Sequence, residues 1–509
     1  MQRSDGLARP LAPRQHAPHG SLRDAPAVDT RFCRLLRGTT VGFIPDFSYY
    51  QLCAGFILQG SALEARSWKE KVVLSTFQLQ AGRCCTMTST KPRPASHSNV
   101  CYKGMRKVKR DWIFAILLSA CHAGLVHLMY HYVPEPYMDE FHHIGQTRKY
   151  CNGNWSWDPL ITTPPALYIL GMPFCGFERY TNSLLIALTI VGFCRFRRFF
   201  TNDSVYTSAL AAILFPVLLH SSLMFYTDLL SLCAVIWGFS IESPLLSSLS
   251  FTVAVLTRQT NIIWAGFSAA VRLFQGIDVS KPFSSLFSSL VRLISFILLA
   301  LAFVVFLFVN GGIVLGDASA HQPCLHMAQF LYLALFLAVH AWPHAIPRMQ
   351  RLLSQLTLPL PILLVVPVAL AAQYFAFDHP YLLADNRHVT FYLWRRWLSD
   401  AVRRVLLTPL VICSFIFLGD LSNHLSPLVR VLFMLSSFAV VVPARLIEPR
   451  YFIVSYVLWR LSAKTSTNKL LIMLELISQC LVFSSVFYLF LLKPFEWTNE
   501  PGVKQRFMW

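Results

Sequence analysis

Apolar residues run through this chain in long blocks separated by short polar islands, without the alternation of one wet and one dry face that marks a soluble fold. The first block, Trp112–Tyr132, has the length of a helix that crosses the hydrocarbon core directly. Val205–Tyr226, Val291–Val309, Leu358–Phe377, Val405–Leu418, Val429–Val442 and Leu470–Leu492 follow, with shorter runs between them. Runs of roughly fourteen residues need local thinning of the bilayer or packing against neighbours. The pattern predicts an all-α polytopic membrane protein with about 12–13 spanning helices and helical segments in its larger loops.

Composition agrees: 55% of the 509 residues are hydrophobic and 14% are charged, against about a quarter charged in a soluble domain. The net charge of +19 could suggest nucleic acid, but about +12 of it falls in the first 110 residues, before any span. The positive-inside rule accounts for much of the rest. Lys103, Arg106, Lys107, Lys109 and Arg110 precede the first span, and the acidic pair Asp139–Glu140 follows it. This ordering places the N-terminal side in the cytosol and the pair in a lumen. Arg195, Arg197 and Arg198, and later Arg348 and Arg351, mark returns to the cytosol.

Residues 1–105 are rich in Arg, Pro, Ser and Gly near their start and lack the apolar core of a secretory signal. They read as a disordered basic extension or a misassigned start of the coding region. Residues 106–509 then form one multispanning domain whose first luminal loop covers about 133–180. The 13 cysteines scatter through apolar segments, as small membrane-core residues do, and Cys53 and Cys84–Cys85 lack metal-ligand spacing. No inverted repeat is visible.

Tracing the spans alternately puts Val133–Tyr180, Phe225–Asp228, Arg258–Asn261, Asn310–His326, Phe377–His388 and Pro443–Arg450 on one membrane face. Charges near a bilayer are costly, so their concentration on one side points to a site. In the first island, a helix over Met138–Lys149 would stack Asp139, His143 and Gln146 along one face. That arrangement suits an oriented general base. It equally suits a helix N-cap, which favours acidic residues at the same place. Trp155 and Trp157 read as interfacial anchors or as sugar platforms. A transporter, or a membrane partner without catalytic activity, would also carry charges near helix ends.

YMDE with His143 and Gln146, WDPLITTPPALY, FYTD, LTRQTNIIW, NGGIVLGD, HPYLLADNRHVTFYLWRR, EPRYF and QRFMW together resemble the eukaryotic α-1,2-glucosyltransferases that add the last glucose to the lipid-linked oligosaccharide for N-glycosylation. The resemblance runs from about residue 112 to Trp509. Gly145 and Ala166 stand where the family usually has proline and glycine, and neither change removes a functional side chain.

The resemblance implies a glycosyltransferase of the GT-C class in the endoplasmic reticulum membrane, with its active site on the luminal face. Its substrates would be dolichyl-phosphate-glucose and the lipid-linked oligosaccharide, with no nucleic acid partner. No cofactor and no tightly bound metal are expected. Asp139 is the expected base, with Glu140 as the second choice. Arg258, Arg387, His388 and Arg450 are candidates for the donor phosphate, although Arg450 could equally pair with Glu448. His143, Gln146, Asp158, Gln259, Asn261, Asp385 and Asn386 are candidates for sugar hydroxyls, although Asn261 could instead tie helices together, and Asp228 reads as a cap. A sister transferase using the same class of donor is the nearest alternative. Of the sequons Asn154-Trp155-Ser156 and Asn202-Asp203-Ser204, only the first falls on the luminal side.

Overall fold

The computed structural model describes residues 96–317 and 322–509, with side chains from residue 107 onward. The expectation of a disordered extension therefore lies almost wholly outside the described residues. The first helix begins at Ser96 and continues without a break to Tyr132.

Among the described residues the architecture is helical, apart from one antiparallel hairpin pairing Phe495–Trp497 with Glu500–Gln505 near the C-terminus. Among the described residues, three helices are long and apolar enough to cross a membrane: Lys107–Tyr132, Ala401–Leu421 and Lys469–Leu492. The number rises to six if each bent helix pair is one span. Four further apolar helices, Thr227–Ser240, Pro244–Val255, Pro359–Tyr374 and Pro427–Val441, are shorter. Straight, membrane-length spans are thus fewer than the apolar runs suggested. Part of the reason is local. The run Val205–Tyr226 breaks by 64° where Pro216 opens its second helix, because proline lacks an amide proton and clashes with the preceding turn.

The ends of these helices sort onto two faces. On one, Arg198 donates to both oxygens of Asp111 at 2.5 and 2.6 Å. Arg197 donates to the carbonyls of Leu461 and Ala463, and Arg348 and Arg351 share Asp420. These are the arginines expected in the cytosol. The opposite face gathers the acidic loop after Tyr132, the segments around Arg258 and Arg450, and the C-terminal residues. The chain is a polytopic membrane protein, and its buried core runs between the two faces through Ile190, Phe193, Leu232, Phe251, Tyr456 and Leu461.

One expectation about cysteine is corrected. Cys151, the last residue of the helix Glu140–Cys151, is disulfide-bonded to Cys175 across the loop that follows the first span. A separation of 24 residues carries no sequence signature of pairing; the fold of the loop brings the two together. The other described cysteines are spread through helices and apolar loops as expected.

Candidate active site

The helix Glu140–Cys151 is entered through a strained residue, Met138, whose φ of 54° places a non-glycine side chain in the left-handed region. Asp139 occupies the N-cap position, yet its side chain makes no capping hydrogen bond. The simple capping explanation therefore fails. The carboxylate turns to Arg450, whose Nη2 donates to Oδ2 at 2.9 Å, and it remains 46% exposed.

Arg450 is the hub of the site. It follows the chain's Glu448-Pro449 entry into a short 3-10 turn, Pro449–Phe452. Its Nε donates to Glu448, its Nη1 lies 3.7 Å from Asp228, and its guanidinium sits 4.7 Å from the Tyr226 ring centroid. Asp228 in turn receives Arg258 at 3.0 Å, while Arg258 Nε donates to Thr227 Oγ1. Asp228 was expected as a cap, but it is buried and links the two arginines, an arrangement that only tertiary packing creates. The result is a continuous string of charges, Asp139–Arg450–Asp228–Arg258, drawn from four separate polar islands.

Burial opposes ionisation of Asp139, but the Arg450 guanidinium, with His143 and His388 nearby, holds its pKa down to about 2. His143 is pushed down to about 4 by burial, against the attraction of Asp139, so its imidazole is neutral at pH 7. The His143 Nδ1 shares a 2.9 Å hydrogen bond with the Tyr168 hydroxyl, which also contacts Thr163. The expected i, i+4 relation of Asp139 and His143 is therefore present, with a tyrosine behind the imidazole.

Glu140 takes a different place from its neighbour. It is fully buried, and Arg179 grips it with Nε and Nη2 at 2.8 and 2.6 Å. The backbone amides of Phe225 and Tyr137 also donate to it. Four donors thus hold the Glu140 carboxylate away from solvent, the arrangement of a structural anchor. Arg179 extends the anchor by donating to the carbonyls of Val133 and Glu135.

Several residues expected at sugar hydroxyls are engaged internally. Gln146 is buried, donates to the Ser156 carbonyl and accepts from the Asp158 amide, which clamps the loop. Gln259 donates to the Thr162 carbonyl. Asn261 donates to Ser231 and to the Ala254 carbonyl, tying helices together. Asn386 accepts from the Trp497 indole. Asp158 accepts from the Leu160 amide and faces Lys149 at 3.8 Å. The buried amides of Gln146, Gln259 and Asn261 thus tie segments of the fold together.

Asp385 and Arg387 form a two-pronged pair at 2.7 and 2.8 Å, with Arg387 also on Gln505 and over the Trp497 ring. His388 donates from Nδ1 to the Trp509 carbonyl at 2.7 Å, while Met508 bridges the backbone on both sides of His388. The C-terminal residues therefore fix the Asp385–His388 loop, with His388 near Asp139. Nothing in the local sequence announced that contact.

A family model described as the DIE2/ALG10 family matches residues 133–285 and 272–461. The chain is similar to a human protein named "Dol-P-Glc:Glc(2)Man(9)GlcNAc(2)-PP-Dol alpha-1,2-glucosyltransferase", at 31% identity over 448 residues, covering 74% of this chain and 93% of the relative. The mouse protein of the same name is 30% identical over 449 residues with the same coverage. The Arabidopsis thaliana one is 30% identical over 490 residues, covering 74% and 96%. No solved structure matches.

Proposed function

We propose that this chain, which belongs to the DIE2/ALG10 family, adds one glucose in α-1,2 linkage from dolichyl-phosphate-glucose to a diglucosylated dolichyl-diphosphate oligosaccharide, at the luminal face of the endoplasmic reticulum membrane. The relatives' printed names support the reaction. The Cys151–Cys175 disulfide supports a face in an oxidising compartment, as does the gathering of Arg197, Arg198, Arg348 and Arg351 on the opposite side.

The observation that carries the mechanism is the partly exposed Asp139 carboxylate, which makes no capping bond and is held 2.9 Å from Arg450. The acceptor 2-hydroxyl attacks the glucose anomeric carbon opposite the phosphate. Asp139 takes the hydroxyl proton as the new C–O bond forms and the bond from carbon to phosphate oxygen breaks. A β-linked donor thus gives an α-linked product. Dolichyl phosphate leaves as an anion with one more negative charge than it carried in the donor, so no general acid and no metal are required by the scheme.

Arg450 and Arg258 are the cations we assign to that developing charge, with the His388 ring beside them as a hydrogen-bonding group. A donor phosphate arriving at Arg450 draws the guanidinium away from Asp139. The carboxylate loses the partner that depresses its pKa and becomes a stronger base only when the donor is in place. Asp385 and Arg387 position His388.

The test is transfer by detergent-purified protein, wild type and Asp139→Asn, with product mass and linkage as readouts. We expect one α-1,2 glucose from the wild type and a loss of about 10²–10⁴-fold in the variant. An Asp139→Asn enzyme within a few-fold of wild type would remove the base assignment. A folded wild type that transfers no glucose would remove the reaction.

A further inference from the structure

The arginines on the active-site face are nearly all committed. Arg148, Arg179, Arg258, Arg387, Arg445 and Arg450 each pair with a carboxylate. Arg404 donates to the carbonyls of Ala372, Leu398 and Ser399, and Arg506 to those of Phe490, Leu491 and Tyr132. Three remain. Among the described residues, the side chains of Arg395, Arg396 and Arg403 have no acidic partner; Arg403 donates to the Arg396 carbonyl and stands over the Trp397 ring, and Arg395 over the Phe391 ring. All three are exposed and line one cavity of about 750 Å³ together with Phe391, Tyr392 and Trp397.

Local geometry builds this cavity. Trp394–Leu398 is a single π-helical turn, anchored by the buried side chains of Trp394 and Leu398. A π turn inserts an extra residue and re-aims the side chains that follow, which is why such turns recur at binding sites. Here it presents Arg395, Arg396 and Trp397 outward, just before the spanning helix Ala401–Leu421 begins. Trp397 is 54% and Tyr392 37% exposed, the setting of aromatic residues at a membrane–water boundary. Topology does not explain the cations, since the positive-inside rule disfavours arginine on this face. Snorkelling would account for one guanidinium, but not for three around a shared cavity.

We propose that this cavity docks the phosphate headgroup of an isoprenoid-linked substrate at the membrane surface, with its chain leaving over Phe391, Tyr392 and Trp397. Planar guanidinium groups match phosphate oxygens two at a time, and these three have no internal carboxylate to give up first. This inference rests on the function proposed above and adds a second anion site to it. The Asp139–Arg450 string handles the phosphate during bond cleavage. The Arg395–Arg403 cavity captures a lipid phosphate and holds it at the surface.

The experiment compares wild type, Arg395→Gln/Arg396→Gln, Arg403→Gln and Arg395→Lys/Arg396→Lys in nanodiscs of phosphatidylcholine alone. Initial rates are measured while the donor or the acceptor is varied, and dolichyl phosphate binding is followed by native mass spectrometry. We expect the glutamine variants to raise KM for one substrate by about tenfold with kcat unchanged, and the lysine variant to recover part of the loss. The substrate whose KM moves identifies the lipid held there. Unchanged KM for both substrates would overturn the proposal. So would an effect that appears only when phosphatidylinositol is added, because the cavity would then serve bulk anionic lipid. Should the wild type transfer no glucose, binding of dolichyl phosphate by wild type but not by Arg395→Gln/Arg396→Gln would still sustain the cavity. Equal binding by both would end it.

Discussion

Adjacent carboxylates with opposite fates give the sharpest prediction. Replacing Glu140 by glutamine leaves the Arg179 guanidinium charged, 1% exposed and without its partner. Breaking one half of a buried ion pair costs about 3–5 kcal/mol, a large share of the roughly 5–15 kcal/mol that holds a typical fold together. Glu140→Gln should therefore unfold at markedly lower temperature in a detergent melting assay. The same variant, assayed where it is still folded, should retain most of its kcat. Asp139→Asn should show the converse, since its carboxylate is 46% exposed and contributes little to stability. Combining Glu140→Gln with Arg179→Met should restore part of the melting temperature, because removing both charges relieves the stranded guanidinium. A Glu140→Gln protein that melts like wild type but transfers no glucose would refute this reasoning and return Glu140 to the chemistry.

Three further outcomes follow from the same loop. Cys151→Ser/Cys175→Ser should lower stability by about 3.5 kcal/mol, the chain-entropy value for a loop of this length; a melting temperature unchanged by the substitution or by reductant would count against the disulfide. His143 titrates near 4 in the folded site against 6.5 ordinarily. The unfolded chain therefore binds its proton first as pH falls. Its contribution to stability is intact above pH 6.5 and is lost on the way down to 4. A His143→Gln variant should have a flatter melting-temperature profile across that window, and parallel profiles would contradict the assignment. Gly316, at φ 58°, packs so closely on the carbonyls of Pro159 and Ile161 that a Cβ would collide with backbone. Gly316→Ala should loosen the 310–317 segment from the first loop and lower kcat/KM more than the spacious Gly145→Ala. Equal activity of the two would show that this docking is not needed.

Much of this protein was legible in the sequence. Apolar run lengths and the placement of arginine disclosed a helical membrane protein with its polar islands on one face, because lipid permits few backbone structures and topology is written in charge. Asp139 and His143 could be paired from helical spacing alone. Tertiary structure decided what each polar residue does. Asp139 and Glu140 are consecutive, so they leave the backbone in different directions, and only the packing of Arg179 and Phe225 around Glu140 and of Arg450 beside Asp139 separates the buried anchor from the proposed base. Gln146 and Asn261 look like ligands until their carbonyl partners are known. Asp228, the Cys151–Cys175 bond and the strand that seats His388 depend on contacts between segments far apart in the chain. A local pattern records which faces are wet or dry, whereas hydrogen-bond and ion-pair partners are set by where distant segments meet.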